Sequence, residues 1–165
     1  MAYQLSDGVD LMQIHGVSYS LLMTLVSETG LNLSDSFASA KHFTSWLGLA
    51  PNKRITGGKI ISNRTQKKKN RLANAFRKAA NSVGRQKDTP LGDFFRRIAF
   101  KKNRAVAITA TARKIAVIVY HMLSDKQSFK PMGSEEYAQK IRQMKVARIQ
   151  KTIQKLSISL DELKS

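Results

Sequence analysis

From residue 105 to residue 123, apolar side chains return every three or four positions: Ala105, Val106, Ile108, Ala112, Ile115, Ala116, Ile118, Val119, Met122 and Leu123. That period belongs to a helix, because a strand would alternate. Ala105, Ala107, Ala110 and Ala112 leave little bulk on it, so other helices can approach closely. A helix that is apolar over so much of its circumference has to be covered on several sides. The expected fold is therefore all-α, a compact domain of five to six helices with the 104–123 helix at its centre. His121, which lies on that helix, is expected to be a packed residue. No apolar run approaches the ~18 residues needed for a membrane span.

The rest of the chain supplies the covering helices. Leu21, Leu22, Leu25 and Val26 share one face of a helix that Gly30 stops. A short helix is expected from about Phe37 or Ser39 to Leu47, with Asp35 and Ser36 available as caps and Gly48 and Pro51 at its end. Its stripe is Ala40, Phe43, Trp46 and Leu47, so Trp46 is read as a core residue in preference to a base-stacking platform. From about Lys67 to Val83 the pattern predicts an amphipathic helix, with Leu72, Ala73, Phe76, Ala79, Ala80 and Val83 on the buried face. Thr89-Pro90 is a strong start, a hydroxyl cap followed by proline at the first helical position, for a helix reaching about Lys101. After a break at 128–133, Ser134-Glu135-Glu136 opens a last helix with its acids at the positive end. This divides the chain into a domain at 1–130 and a basic helical extension at 131–165, which either docks or projects as an arm.

The charge is concentrated. Of the net +18, residues 1–51 contribute −3, residues 52–104 contribute +15 and residues 105–165 contribute +6. A phosphate-rich partner suits such a concentration, since each neutralised phosphate releases counterions. Within it, Trp46 to Lys69 reads W-L-G-L-A-P-N-K-R-I-T-G-G-K-I-I-S-N-R-T-Q-K-K-K. The stretch from Asn52 to Gln66 has no helical period and is read as a basic loop, with Ile60 and Ile61 as a short extended piece. Its cations are Lys53, Arg54, Lys59 and Arg64, followed by Lys67, Lys68, Lys69 and Arg71. Together with Gly57 and Gly58 these are the candidate nucleic-acid-binding residues.

Much chemistry is excluded. Cysteine is absent, so disulfides and thiol catalysis are ruled out. The eleven carboxylates are dispersed and His or Cys clusters are lacking, so no metal site is expected in this chain. Thr56-Gly57-Gly58-Lys59 lacks the longer spacing of a phosphate-binding loop that holds nucleotides. One route remains: a hydroxyl that attacks a phosphodiester, with cations around the phosphate to stabilise developing charge. Thr56 meets that requirement in kind, with Ser62 as a fallback hydroxyl. As a tetrapeptide alone, T-G-G-K is equally a phosphate-contacting loop without chemistry.

Ile14-His15-Gly16-Val17-Ser18, leading into an apolar helix, resembles half of a helix-hairpin-helix module, with Ser18 where a second glycine is usual. In that module the hairpin N–H groups meet DNA phosphates. His15 has no ligand partner nearby and is expected to be structural.

The run F-T-S-W-L-G-L-A-P-N-K-R-I-T-G-G-K, then Asn70-Arg71-Leu72-Ala73, then A-I-T-A-T-A-R-K-I-A-V-I-V-Y-H-M-L at Ala107–Leu123, resembles the C-terminal domain of the insertion-sequence one-ten family of DEDD transposases. The resemblance extends, in order, over roughly residues 9–150. It implies a helical DNA-binding domain that supplies a serine nucleophile just before a glycine pair, a position held here by Thr56. It also implies an N-terminal acidic domain that holds Mg2+, a homo-oligomer, and recognition guided by a structured RNA. Thr56 departs from the family in its branched carbon, which restricts rotamers. The acidic domain is expected to be missing, as in a truncated transposase, a separated half or a fragment, which would be inactive alone. No membrane partner is expected. The first 30 residues show no secretory signal, so a cytoplasmic, nucleoid-associated location is expected. The competing reading is a non-catalytic RNA- or DNA-binding module of a ribonucleoprotein, which fits the charge equally well but not the ordered match.

Overall fold

The computed structural model describes residues 9–52, 54–62, 64–66, 68–130 and 133–156, with the side chains of 134, 155 and 156 left aside. It forms two compact units, Met1–Pro131 and Met132–Ser165. The first unit opens with one 3-10 turn, Leu11–Gln13, and continues with helices α1 (Tyr19–Thr29), α2 (Leu33–Ser36) and α3 (Ala40–Trp46). Strands β1 (Arg54–Thr56) and β2 (Lys59–Ser62) follow, then helices α4 (Arg71–Val83), α5 (Pro90–Lys101) and α6 (Arg104–Ser124). The second unit contains α7 (Ser134–Leu156), on which Met144 and Ile149 are exposed.

Helix α6 is the centre of the first unit. Helices α3, α4 and α5 pack on it, with the short α2 beside them, and α1 packs on α4. Its buried residues include Ala107, Thr111, Ala112, Ile115, Ala116 and Val119. By length and composition α6 is apolar enough to cross a membrane, which the reading of apolar runs did not anticipate, but half of that stretch is buried inside the fold. Arg113 and Lys114 also lie at its middle, where a bilayer would penalise them. An aromatic cluster ties the helices together. Phe43 meets Phe76 edge-on at 6.2 Å and Tyr120 at 6.1 Å, and the Tyr120 hydroxyl donates to the Phe37 carbonyl at 2.7 Å.

Local sequence sets where the helices begin. Ser18, Ser39, Asn70, Thr89 and Asn103 each accept a backbone N–H three residues on, at 3.4, 3.3, 2.8, 3.1 and 2.9 Å. This corrects two expectations. Helix α4 starts at Arg71 and not near Lys67: Asn70 caps it, and lysines at a helix N-terminus would oppose the macrodipole. Asp35 and Ser36 lie inside α2, and the cap of α3 is Ser39. His121 is also corrected. Its side chain is exposed and sits 3.3 Å from Asp125 Oδ2, because the core-facing residues around it are Tyr120, Met122 and Leu123. Trp46 lies at the margin of the core. Its ring stacks on Phe43 at 6.4 Å, yet the residue is 36% exposed.

Candidate nucleic-acid interface

The expected basic loop is a β-hairpin. Ile55 pairs with Ile60 and Thr56 with Lys59, leaving Gly57-Gly58 as a two-residue turn. Both glycines have positive φ, 56° and 74°, the requirement of a type I′ turn, whose twist matches that of the flanking strands. A side chain added to either glycine would meet nothing within 4 Å. The tip is therefore bare backbone open to a close-approaching ligand. The ladder continues toward the base through Asn52 N–H, which donates to the Arg64 carbonyl at 3.0 Å, and through a bridge between Pro51 and Thr65.

The register sorts the side chains. Directly opposed residues share a face, and alternate residues along a strand return to it. Thr56 and Lys59 thus share a face with Arg54, two residues back. Arg54 pairs with Ser62, not with Ile61, because β2 carries one extra residue at this point. That bulge resets the alternation and brings Ser62 to the face of Arg54, Thr56 and Lys59. Ile55 and Ile60 occupy the opposite face. All the strand residues except the half-buried Ser62 are exposed, with Ile55 at 60%, Ile60 at 59% and Ile61 at 68%.

The hydroxyls on the polar face differ. Ser62 Oγ accepts the Arg64 backbone N–H at 3.4 Å and so takes part in the strand end. The Thr56 hydroxyl is bonded by no described residue and stands next to the glycine pair. Thr56, Gly57, Gly58, Arg54 and Lys59 are therefore brought together as one tip.

The remaining predicted cations spread away from it. Arg64 sits at the hairpin base beside a groove against α6. Lys68 Nζ donates to the Ser45 carbonyl at 3.4 Å, a lysine placed near the negative end of α3. Lys69 is exposed between hairpin and helix, and Arg71, with an 85% exposed side chain, lies 3.9 Å from Glu28. Lys53 and Lys67 lie outside the described residues.

A second cationic cleft was not anticipated. Gly16, at φ +86°, turns the chain between the 3-10 turn and α1 and lies against α4, where a side chain would strike Val83 and come within 2.7 Å of the Ala79 carbonyl. Beside it a cleft of about 520 Å³ is lined by Ser18, Ser20, Thr24, Arg71, Asn74 and Lys78. The spacing of Arg71, Asn74 and Lys78 along α4 already marks one helix face. What the sequence lacked was the position of the Gly16 turn opposite that face. His15, in the turn itself, is exposed.

Among the described residues no three of His, Cys, Asp and Glu gather where they could hold a metal ion. The described residues thus offer no such metal site.

No protein of curated function and no solved structure matches the chain. The profile of the transposase IS116/IS110/IS902 family matches residues 10–96, just over half of the chain, from the 3-10 turn through the hairpin and α4 into α5. The match stops short of α6, so the likeness noted at Ala107–Leu123 falls outside it. The chain belongs to the transposase IS116/IS110/IS902 family, as its C-terminal domain, which implies a role in DNA transposition and the binding of DNA.

Proposed function

We propose that the hairpin is the part of this transposase domain that holds the DNA backbone, and that Thr56 is its nucleophile in strand cleavage and rejoining. The observation that carries this is the pairing of Thr56 with Lys59 across two positive-φ glycines. It puts an exposed hydroxyl, bare backbone and two cations, Arg54 and Lys59, on one small face. Those are the parts a hydroxyl needs to reach a phosphodiester and to stabilise the charge that develops there. In the step, Thr56 Oγ forms a bond to phosphorus and the phosphorus bond to the leaving sugar oxygen breaks. The threonine gives up its proton and the leaving oxygen gains one. Rejoining reverses the exchange with a new strand end. The turn next to Gly16 and the cleft holding Arg71 and Lys78 would contact phosphates farther along the duplex.

Cleavage, on this reading, requires the acidic metal-holding domain that the family resemblance implies, and this chain alone binds without cutting. A guide RNA and further copies of the full-length protein complete the assembly, resting on the same resemblance, as does a location at the nucleoid in the cytoplasm. The test is a nicked DNA substrate whose cleavage is trapped covalently, with the acidic domain supplied in trans. Thr56→Ala is expected to abolish the covalent product and Thr56→Ser to keep it. Trapping by Thr56→Ala at the wild-type level would remove Thr56 as nucleophile.

A further inference from the structure

A groove of about 830 Å³ runs between the hairpin base and the first half of α6, and the phosphate-binding reading does not use it. Pro51, Phe94 and the 44% exposed Val106 give it an apolar lining. Arg64, Arg113 and Lys114 line it too, and no carboxylate is among its lining residues. Lys114 Nζ lies 4.5 Å from the centre of the Phe94 ring, so charge and aromatic surface meet inside the groove itself.

A lining that joins apolar surface to cations, without a carboxylate, calls for a ligand that is flat and apolar in one part and anionic in another. An unpaired nucleotide has that character: its base offers a π-face and its phosphate a negative charge. A free apolar molecule would carry no charge to match the cations, and a paired duplex would keep its bases stacked away from the apolar lining. The groove also adjoins the hairpin. Pro51 and Thr65, both lining it, are bridged at the hairpin base, and Pro51 is five residues along the chain from Thr56. Five residues of chain span at most ~17 Å, the length of about five stacked nucleotides at ~3.4 Å each.

We propose that this groove receives an unpaired nucleobase of the DNA strand, within about five nucleotides of the phosphate held at Thr56. The strand that is cut or joined is thereby unstacked next to the site. The proposal rests on the hairpin being the DNA-backbone site, and the experiment separates the two. The full chain is titrated by fluorescence anisotropy into a 30-base-pair DNA duplex, either fully paired or carrying three unpaired thymidines at its centre, at fixed salt.

The wild type is expected to bind the interrupted duplex about tenfold more tightly, in keeping with base stacking on protein. Val106→Glu is expected to erase the preference while leaving affinity for the paired duplex unchanged. It is safe for folding, since Val106 is the third residue of α6 behind the Asn103 cap, where a glutamate supports the helix start. Val106→Ala, a milder change, is expected to reduce the preference about threefold. Arg54→Glu with Lys59→Glu weakens both duplexes, which reports on the hairpin alone. No binding of the paired duplex by the wild type would sink the hairpin reading. Binding without preference, or a preference that survives Val106→Glu, would overturn the groove proposal only. So would a preference confined to an RNA duplex with the same unpaired run. Capture of an acidic amphipathic helical peptide by the wild type but not by Val106→Glu, with no DNA preference, would give the groove to a protein partner and overturn it too.

Discussion

Helix α4 and the β-hairpin are neighbours in the chain and are held by opposite means. Helix α4 buries Leu72, Ala73, Phe76, Ala79, Ala80 and Val83, and its place is decided by what it packs against. The hairpin buries no side chain fully, and its shape comes from its own register, its bulge and its two glycines. The helix therefore belongs to the stability of the fold. The hairpin costs the fold little to change, which frees its sequence for cations, a hydroxyl and bare backbone. An exposed apolar pair, Ile55 and Ile60, holds the ribbon together by cross-strand contact where no core is available.

The contrast can be broken from either side. The largest effect is expected at Phe76, fully buried against Phe43. Phe76→Ala should cost about 3–5 kcal/mol in urea unfolding, as the loss of a buried aromatic does. Gly16→Ala should cost about 2–4 kcal/mol in the same measurement. It strains a φ of +86° and drives a methyl into Val83 and the Ala79 carbonyl. Replacing Gly57 and Gly58 together by alanine strains two positive-φ positions by roughly 1–2 kcal/mol each. Because no core rests on the hairpin, global unfolding should change far less than this sum, while amide hydrogen exchange in β1 and β2 should rise sharply. A loss of global stability as large as that of Gly16→Ala would show that the hairpin supports the core after all. The smallest effect on stability, within ~0.5 kcal/mol, is expected for Arg54→Glu with Lys59→Glu. The same variant should make the slope of log affinity for DNA against log salt shallower by about two, one for each lost phosphate contact. An unchanged slope would remove the hairpin from the interface.

Much of the helical part was legible because its signals are local. The buried face of α4 follows from its apolar spacing, residue for residue, and the Thr89-Pro90 start of α5 holds as read. Boundaries failed where two local preferences competed. Three lysines and an asparagine all stand ahead of α4, and the asparagine wins because its side chain bonds the Ala73 N–H at 2.8 Å while lysines oppose the dipole. The candidate site was legible as a set of residue types, since Thr56, the glycine pair and the cations stand together in the sequence. It was not legible as a shape. The run R-I-T-G-G-K-I-I-S carries too little period to be told from a loop, and the extra residue that turns Ser62 toward Thr56 shows only in the strand register.

What the sequence by itself determined was the helical class, the faces that would be buried, the charged centre of the chain and the family to which it belongs. These depend on spacing, capping and composition, which act over a few residues or over the whole chain at once. What only the tertiary structure decided was which distant residues meet. The Gly16 turn faces Arg71 and Lys78 because α1 packs on α4. Arg64 faces Arg113 and Lys114 because the hairpin base lies beside α6. Gly84 ends α4 at φ −61°, a value open to any residue, yet a side chain there would come within 2.7 Å of the Phe95 ring on α5. Contacts of this kind follow from how helices stack in three dimensions, and no periodicity along the chain encodes them.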